Sequence, residues 1–484
     1  MVNIRTSAKS VFKVCSIWLV DKNWILCNNF WLKPHDILST DKVFTGEIFQ
    51  MVLTAAIAGF GTLFLLAILG FPLAASMALG GVIGMVVAGF PLIGAPIAVM
   101  GVLGNFAWLA LPLFIILGGL LSQIGVAKGL ISLGEIVGRR VKGGISQVLI
   151  TSSLFMGGMT GSTLAEAGML SSLFKKDMET LGYPKGYLAG LISCAGLIGA
   201  LIPPSNVLLI LGLSGQMSIL RLWIAGILPG ILLALGLMLV AALIQNRYET
   251  IDSVTFVSQD KTLSKKSNSL LYALPGLSVP VFILGGMRMG IFSPVEAGAA
   301  GILFGLLLGF IWFRKEMAIK NLADAFSRDL LSAFSYLLLV VGAAIFGVLI
   351  VRLNITSIVE QFFTDQNFST TQFMIVNFLI FFLMGFFIEA VPIMLIFFPL
   401  MLPAARAIGI DPTHFGISFS MIILLANLTP PVGVQTLFVC RLLNVSVSEW
   451  WRHGKYFFFV VLLVTFGVMF IPQISLFLPS ILLN

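Results

Sequence analysis

Four short stretches of this chain hold residue types that could bind an ion or an anion within an apolar setting. Thr160-Gly161-Ser162 interrupts one apolar segment, and Pro203-Pro204 interrupts the next long one. The second half repeats the pattern at matching spacing, with Glu389-Ala390-Val391-Pro392 followed by Pro430-Pro431. A break inside lipid frees backbone groups that water cannot reach, so it persists only where it lines a cavity or lies buried in protein. Freed N–H groups at helix N-termini suit a carboxylate. Freed carbonyls and hydroxyls supply the oxygen ligands that a hard cation such as Na⁺ prefers. Thr160, Gly161 and Ser162 offer that mixture, as do Pro203, Pro204, Ser205 and Asn206, and in the other half Asn427, Thr429, Pro430 and Pro431. One such break alone reads as a packing kink. Two pairs at corresponding places point to the midplane site of a secondary transporter.

Carboxylates in apolar segments are costly and usually functional. Glu389 is placed to ligate a cation or to accept hydrogen bonds at its break; the competing reading is that it caps the following helix. Glu166, one turn past the first break, has the same two readings. Glu296, after Pro294, is expected to cap. Gly212-Leu213-Ser214-Gly215 matches the short serine motif of intramembrane proteases, but that chemistry needs a histidine base. The three histidines, His35, His414 and His453, fall outside the predicted helix interiors, and no phosphate-binding Walker loop occurs, so an enzyme is not expected.

The elements that carry these breaks are apolar helices. Hydrophobic residues make up 58% of the chain, charged residues 10%, and mean hydropathy is +1.07. Soluble domains carry about a quarter charged residues, so the class is an all-α polytopic membrane protein. Helices are predicted over 53–69, 72–90, 108–124, 144–159, 163–174, 186–213, 222–245, 269–287, 291–313, 331–351, 372–388, 393–404, 413–440 and 451–477. The segments 163–174 and 393–404 are too short to span, since about twenty residues are needed. Each therefore pairs with the segment before it as a re-entrant hairpin, 144–174 and 372–404. An amphipathic interfacial helix is expected over 318–330.

Loops 125–143, 174–185, 246–268, 314–328 and 441–455 are basic and should face the cytoplasm, whereas 353–371 holds Glu360 and Asp365 with no basic residue. These constraints thread without contradiction only if the two hairpins enter from opposite faces. The expected organisation is an appendage of unknown role (1–50), a first inverted repeat (51–245), a polar cytoplasmic linker (246–268) and a second inverted repeat (269–484). The net charge of +8 resides in short loops, which argues against nucleic acid. The four cysteines show no paired spacing.

From Met51 onward the chain resembles the large membrane subunit of tripartite ATP-independent periplasmic (TRAP) transporters. The resemblance rests on Gly158-Met159-Thr160-Gly161-Ser162, Gly182-Tyr183, Ile202-Pro203-Pro204-Ser205, Gly290 to Ala297, Gly409 to Gly416 and Thr429-Pro430-Pro431-Val432-Gly433, in order. It implies a sodium-coupled importer of small organic anions in the bacterial inner membrane, working by an elevator motion. The implied partners are an extracytoplasmic substrate-binding protein and a small four-helix membrane subunit. Carried over by position, sodium would sit with Thr160, Ser162, Gly199 and Pro203, and with Glu389, Asn427, Thr429 and Pro430. Substrate would meet Thr160, Gly161, Ser162, Ser205, Asn206, Glu389, Val391 and Thr429. The chain departs from the family pattern in lacking an acidic residue at Gly119, in placing Glu166 where Asp is usual, and in having Gly196, Leu197, Ala200, Ile422 and Ala426 near the two proline pairs. Two further readings follow from the same residues: a self-sufficient anion/cation symporter, and a scaffold homologue impaired in transport.

Overall fold

A computed structural model of the chain describes residues 18–21, 24–27, 30–32, 47–138, 144–244, 269–312, 319–430 and 433–483. The linker expectation, most of the appendage and Pro431 lie outside these residues. Three short strands, Trp18–Asp21, Trp24–Cys27 and Phe30–Leu32, pair antiparallel in chain order, and every later element is helical.

The first half begins with Glu47–Ile68 and Leu73–Val87, separated by Gly70 in the left-handed region (φ 83°), a conformation that favours glycine. Gly94–Gly104 and Ala110–Gln123 follow, then the arm Val126–Gly138. The first hairpin is Gly144–Thr160 and Thr163–Thr180. The broken segment after it comprises Lys185–Ala195, a 3₁₀ turn at Ile198–Ala200 and Asn206–Ser214; Ile219–Ile244 completes the half.

The second half runs in the same order. Ser269–Arg288 and Pro294–Trp312 lead to the 34-residue helix Ile319–Arg352 and the arm Ile355–Asp365. Next come a hairpin, Thr370–Met384 and Ala390–Ala407, a broken segment, Pro412–Leu428 and Val434–Leu443, and a final long helix, Val447–Phe470, followed by Pro472–Leu482. This is a fold of two inverted-topology repeats, each with a re-entrant hairpin followed by a broken helix. Among the described residues, seven helices are long and apolar enough to cross a membrane. Ala390–Ala407 is the most enclosed of them, with 72% of its apolar window buried against 17% for Gln50–Ile68. That separates an internal hairpin arm from a lipid-facing span.

The outer helices pack through small residues, as lipid-embedded helices do when apolar burial between them gives no advantage over lipid. Leu73–Val87 meets Glu47–Ile68 and the long helix Ile319–Arg352 through Gly80, Gly81 and Gly84, where a methyl group on Gly81 would lie 2.8 Å from the Phe346 Cα. Inside, Gly190 of Lys185–Ala195 crosses Gly454 of Val447–Phe470 so closely that an added Cβ would stand 2.3 Å from the partner Cα. One continuous apolar core joins the two halves, with Trp223, Phe381, Phe398, Phe415 and Phe419 fully buried in it.

Several boundaries differ from the sequence reading. Both short hairpin arms are 18 residues rather than twelve, since Thr163–Thr180 and Ala390–Ala407 each run past the expected end. Length alone therefore does not mark them as hairpins; the tips do. The expected 318–330 piece is continuous with 331–351, because no glycine or proline stands at the junction. The segment 186–213 is split by the break before Asn206, 413–440 by the break after Leu428, and 451–477 at Pro472. Gly94–Gly104 has no counterpart in the sequence reading, its glycines and proline having concealed a short helix.

Candidate functional site

The first tip is set by glycine and by a cap. Gly161 takes φ 56°, which turns the chain back, and the Ser162 hydroxyl accepts from the Ala165 N–H at 3.5 Å to open Thr163–Thr180. Gly157 and Gly158, one turn earlier, let the arm lie against the first break, where added Cβ atoms would meet the Gly199 Cα at 2.9 Å and the Pro203 carbonyl at 2.5 Å. The Asn206 N–H donates to the Gly161 carbonyl at 3.2 Å, fixing the tip to the second piece of the broken helix. The structure thus brings Asn206 to the 160–162 tip and sets Gly199 and Pro203 against the arm just before it. Thr160 is the last residue of its arm.

The second tip is built without a glycine in the left-handed region. The chain turns at 385–388, and Glu389 occupies the N-cap of Ala390–Ala407 in extended conformation (φ −63°, ψ 156°). Its side chain makes no cap hydrogen bond, so the capping reading fails for Glu389. For Glu296 capping holds: its carboxylate accepts from the Ser293 N–H at 2.7 Å while the Ser293 hydroxyl accepts from the Glu296 N–H. Glu166 accepts a hydrogen bond behind its tip. It is fully buried, and the Ser153 hydroxyl lies 2.5 Å from its Oε1 and 2.8 Å from the Ala195 carbonyl, which joins the hairpin to the first broken helix.

The two tips meet. One cavity of about 40 Å³ is lined by Gly161, Ser162, Thr163 and Leu164 of the first hairpin and by Glu389, Ala390 and Val391 of the second. Asn206, Val207 and Ile210 line it from the first broken helix, Leu424, Asn427, Val434 and Gln435 from the second, and Tyr336 from the long helix. The first two residues of four helices, Thr163–Thr180, Asn206–Ser214, Ala390–Ala407 and Val434–Leu443, all lie on its wall. First-turn N–H groups have no acceptor within their own helix and carry the positive end of its dipole. A cavity of this volume has room for a few waters or one partly dehydrated ion.

The expected site residues divide into two sets. Gly161, Ser162, Asn206, Glu389, Val391 and Asn427 line the cavity. Ser205 does not: it is fully buried, donates to the Ala200 carbonyl at 2.5 Å and accepts from the Leu208 N–H at 3.2 Å, so it holds the break together. Thr429 donates back to the Leu425 carbonyl at 2.7 Å, and Pro430 follows it in the turn. Gly199 and Pro203 pack against the first arm, behind the tip.

Sequence reasoning missed Gln435 and Tyr336. Gln435 is 1% exposed and its Nε2 donates across the repeats, to the Thr163 carbonyl at 3.2 Å and the Ser193 carbonyl at 3.4 Å. A long amide just after the second proline pair, answering Asn206 just after the first, is the signal that could have marked it. Tyr336 left no signal beyond one more hydroxyl, beside Ser332 and Ser335, in an apolar run.

Ser214 of the protease-like motif lines a different, larger cavity together with Asn105, Trp108, Gln216 and Val340, and its hydroxyl donates to the Leu211 carbonyl at 3.3 Å. No histidine is on that wall. Among the described residues no three His, Cys, Asp or Glu side chains gather as a metal cluster would require.

Comparison with known proteins fits this architecture. Residues 60–474 match the family described as tripartite ATP-independent periplasmic transporter, DctM component. A sialic acid TRAP transporter large permease protein of Vibrio cholerae is 30% identical over 388 residues, 80% of this chain and 89% of that one. A C4-dicarboxylate TRAP transporter large permease protein of Pseudomonas aeruginosa is 27% identical, covering 78% and 87%. A 2,3-diketo-L-gulonate counterpart of Escherichia coli is 29% identical, covering 68% and 76%. Among solved structures, the Alcanivorax borkumensis YdaH transporter, described as having an unusual topology, shares the fold with a TM-score of 0.53 over 76% of this chain and 87% of that one, at 17% identity. The chain is thus a multi-pass membrane protein and not an enzyme, and it belongs to the family of TRAP transporter large permeases, the DctM component.

Proposed function

We propose that this chain is the permease subunit of a sodium-coupled importer of small organic anions in the bacterial inner membrane. A soluble extracytoplasmic binding protein would deliver the substrate, and a small four-helix membrane subunit would brace the outer helices. The hairpins and broken helices would move together as an elevator past the long helix Ile319–Arg352.

The observation that carries this reading is the convergence of four helix N-termini on the cavity between the two tips. Their N–H groups recognise a carboxylate with no basic side chain on the wall, which suits a substrate held and then released rather than kept. Coupling to sodium draws support from the carbonyls freed at both breaks and from the oxygen-bearing side chains Ser162, Asn206, Glu389 and Asn427 beside them. The relatives' names support organic anions as the substrate class: a sialic acid, C4-dicarboxylates and a diketo-gulonate are the solutes named.

The test is uptake of a panel of carboxylic acids into proteoliposomes, with and without an inward sodium gradient, with the candidate binding protein and small subunit present or withheld. Uptake that requires sodium and both partners, and that Ser162→Ala impairs in a folded protein, supports the proposal. Uptake indifferent to sodium removes the coupling, and uptake by this chain alone shows a self-sufficient symporter.

A further inference from the structure

The larger cavity that Ser214 lines, about 560 Å³, shares no wall residue with the cavity between the tips, yet follows it along one seam. Ile210, Tyr336 and Val391 stand on the wall of the first. Ser214, Val340 and Leu395, four residues further along the same three helices, stand on the wall of the second. Four residues make about one helical turn. Small residues of the long helix, Ala343, Ala344 and Gly347, leave the space, and a Cβ added to Gly347 would meet no atom within 4 Å. No Lys, Arg, His, Asp or Glu is on the wall, which is apolar apart from Asn105, Trp108, Ser214 and Gln216. The Asn105 Oδ1 accepts from the Ala107 N–H at 3.0 Å. The Asn105 Nδ2, the Trp108 indole N–H and the Gln216 side-chain amide have no partner among the described residues. The stretch from Gly94 to Leu109, which carries Asn105 and Trp108, has no buried residue, so this edge of the cavity lies at the lipid-facing surface.

We propose that this cavity binds an uncharged single-chain amphiphile of the monoacylglycerol kind, entering from the lipid, and that its occupation arrests transport. The volume falls in the range of roughly 300–1,000 Å³ typical of small-molecule sites, which are likewise apolar with a few placed polar groups. An ionic head group would be buried here without a counter-charge, which is costly. Hydroxyl and ester oxygens can instead accept from the free N–H groups of Asn105, Trp108 and Gln216. Trp108 suits such a boundary, with an apolar ring and one polar tip. The occupant would touch the long helix on one side and, on the other, the first broken segment and the second hairpin, at Ser214 and Leu395. Any sliding of these elements past each other changes its contacts, and a ligand that favours one arrangement holds the protein in it. Because the tip cavity is walled by other residues, the arrest does not require competition with substrate. The arrest rests on the elevator reading above; the binding does not.

The test uses the full chain in proteoliposomes, in a cysteine-free background, with Gly347→Cys inside the cavity and Gly101→Cys as a control in open space outside it. N-ethylmaleimide labelling is timed with monolauroylglycerol, with glycerol, and with dodecyltrimethylammonium, which has the same chain length and a charged head. At about ten times its dissociation constant monolauroylglycerol leaves about a tenth of the sites empty, so labelling of Gly347→Cys is expected to slow about tenfold. Labelling of Gly101→Cys should not slow, and neither glycerol nor the cationic amphiphile should protect. Equal slowing at both positions, or none at Gly347→Cys, overturns the site, and equal protection by the cationic amphiphile overturns the uncharged ligand. For the arrest, each variant is treated with N-dodecylmaleimide and its uptake of carboxylic acids compared with the same variant untreated. Uptake lost in Gly347→Cys and kept in Gly101→Cys supports the wedge; uptake kept in both overturns the arrest and leaves the import reading standing. If the background protein takes up no carboxylic acid with its partners present, the import reading and the arrest fall together, while the labelling still decides the site.

Discussion

Ser205→Ala separates a ligand-binding serine from a structural one. By sequence Ser205 sits beside a proline pair and belongs to the substrate-contacting set; in the fold its hydroxyl is spent on the backbone of the break. It accepts from the Leu208 N–H as the N-cap of Asn206–Ser214, and it donates to the Ala200 carbonyl. Loss of a serine cap costs about 1 kcal/mol. Leaving the Ala200 carbonyl unpaired at a fully buried position adds about 1–3 kcal/mol. The Trp223 indole bond to the Ser205 carbonyl, 3.0 Å, involves the backbone and survives. The expected destabilisation is therefore roughly 2–4 kcal/mol by these two contributions. Purified wild type, Ser205→Cys and Ser205→Ala should show falling unfolding midpoints in that order, because a thiol keeps a weakened version of both bonds. Uptake measured per folded molecule should change less than stability. A Ser205→Ala protein with the wild-type midpoint and no uptake would refute the reasoning and return Ser205 to the ligand.

Three further substitutions and one control probe how the site is held. Gly190→Ala should destabilise by about 1–3 kcal/mol, because its new methyl group meets the Gly454 backbone, whereas Gly101→Ala, in open space within a helix, should hold or raise the midpoint. Trp223→Phe removes the donor to the Ser205 carbonyl and should lower stability by about 1 kcal/mol or somewhat more; an unchanged midpoint would show that the bond contributes nothing. Ser153→Ala strips the hydroxyl between Glu166 and the Ala195 carbonyl and should cost about 1–3 kcal/mol, read from the same melting curves.

The sequence made the breaks legible because lipid leaves so few ways to interrupt a helix. Gly161, followed by Ser162 and preceded by Thr160, can only turn or cap, and the structure uses Gly161 and Ser162 for those two tasks. The pairing of breaks across the halves likewise reflected a shared cavity. What could not be read was which oxygen faces inward. Ser205 and Thr429 carry hydroxyls in the right stretches, yet both bond to carbonyls of their own break, a choice made by local backbone geometry. Gln435 was not singled out, since its two carbonyl partners are contributed by segments hundreds of residues away. The lengths of the hairpin arms were underestimated for a related reason. Lys175, Lys176 and Asp177 read as the start of a loop, but the helix carries them on to Thr180.

The central claim is that tips from opposite halves of the chain close on one cavity. It can be tested in a cysteine-free background by placing cysteines at Ser162 and Val391, with a protease site inserted in 246–268, and treating membranes with a short bifunctional thiol reagent. After proteolysis the two halves should stay joined in the double variant and separate in either single one. Halves that separate in the double variant, with both thiols shown to be reactive, would contradict the account.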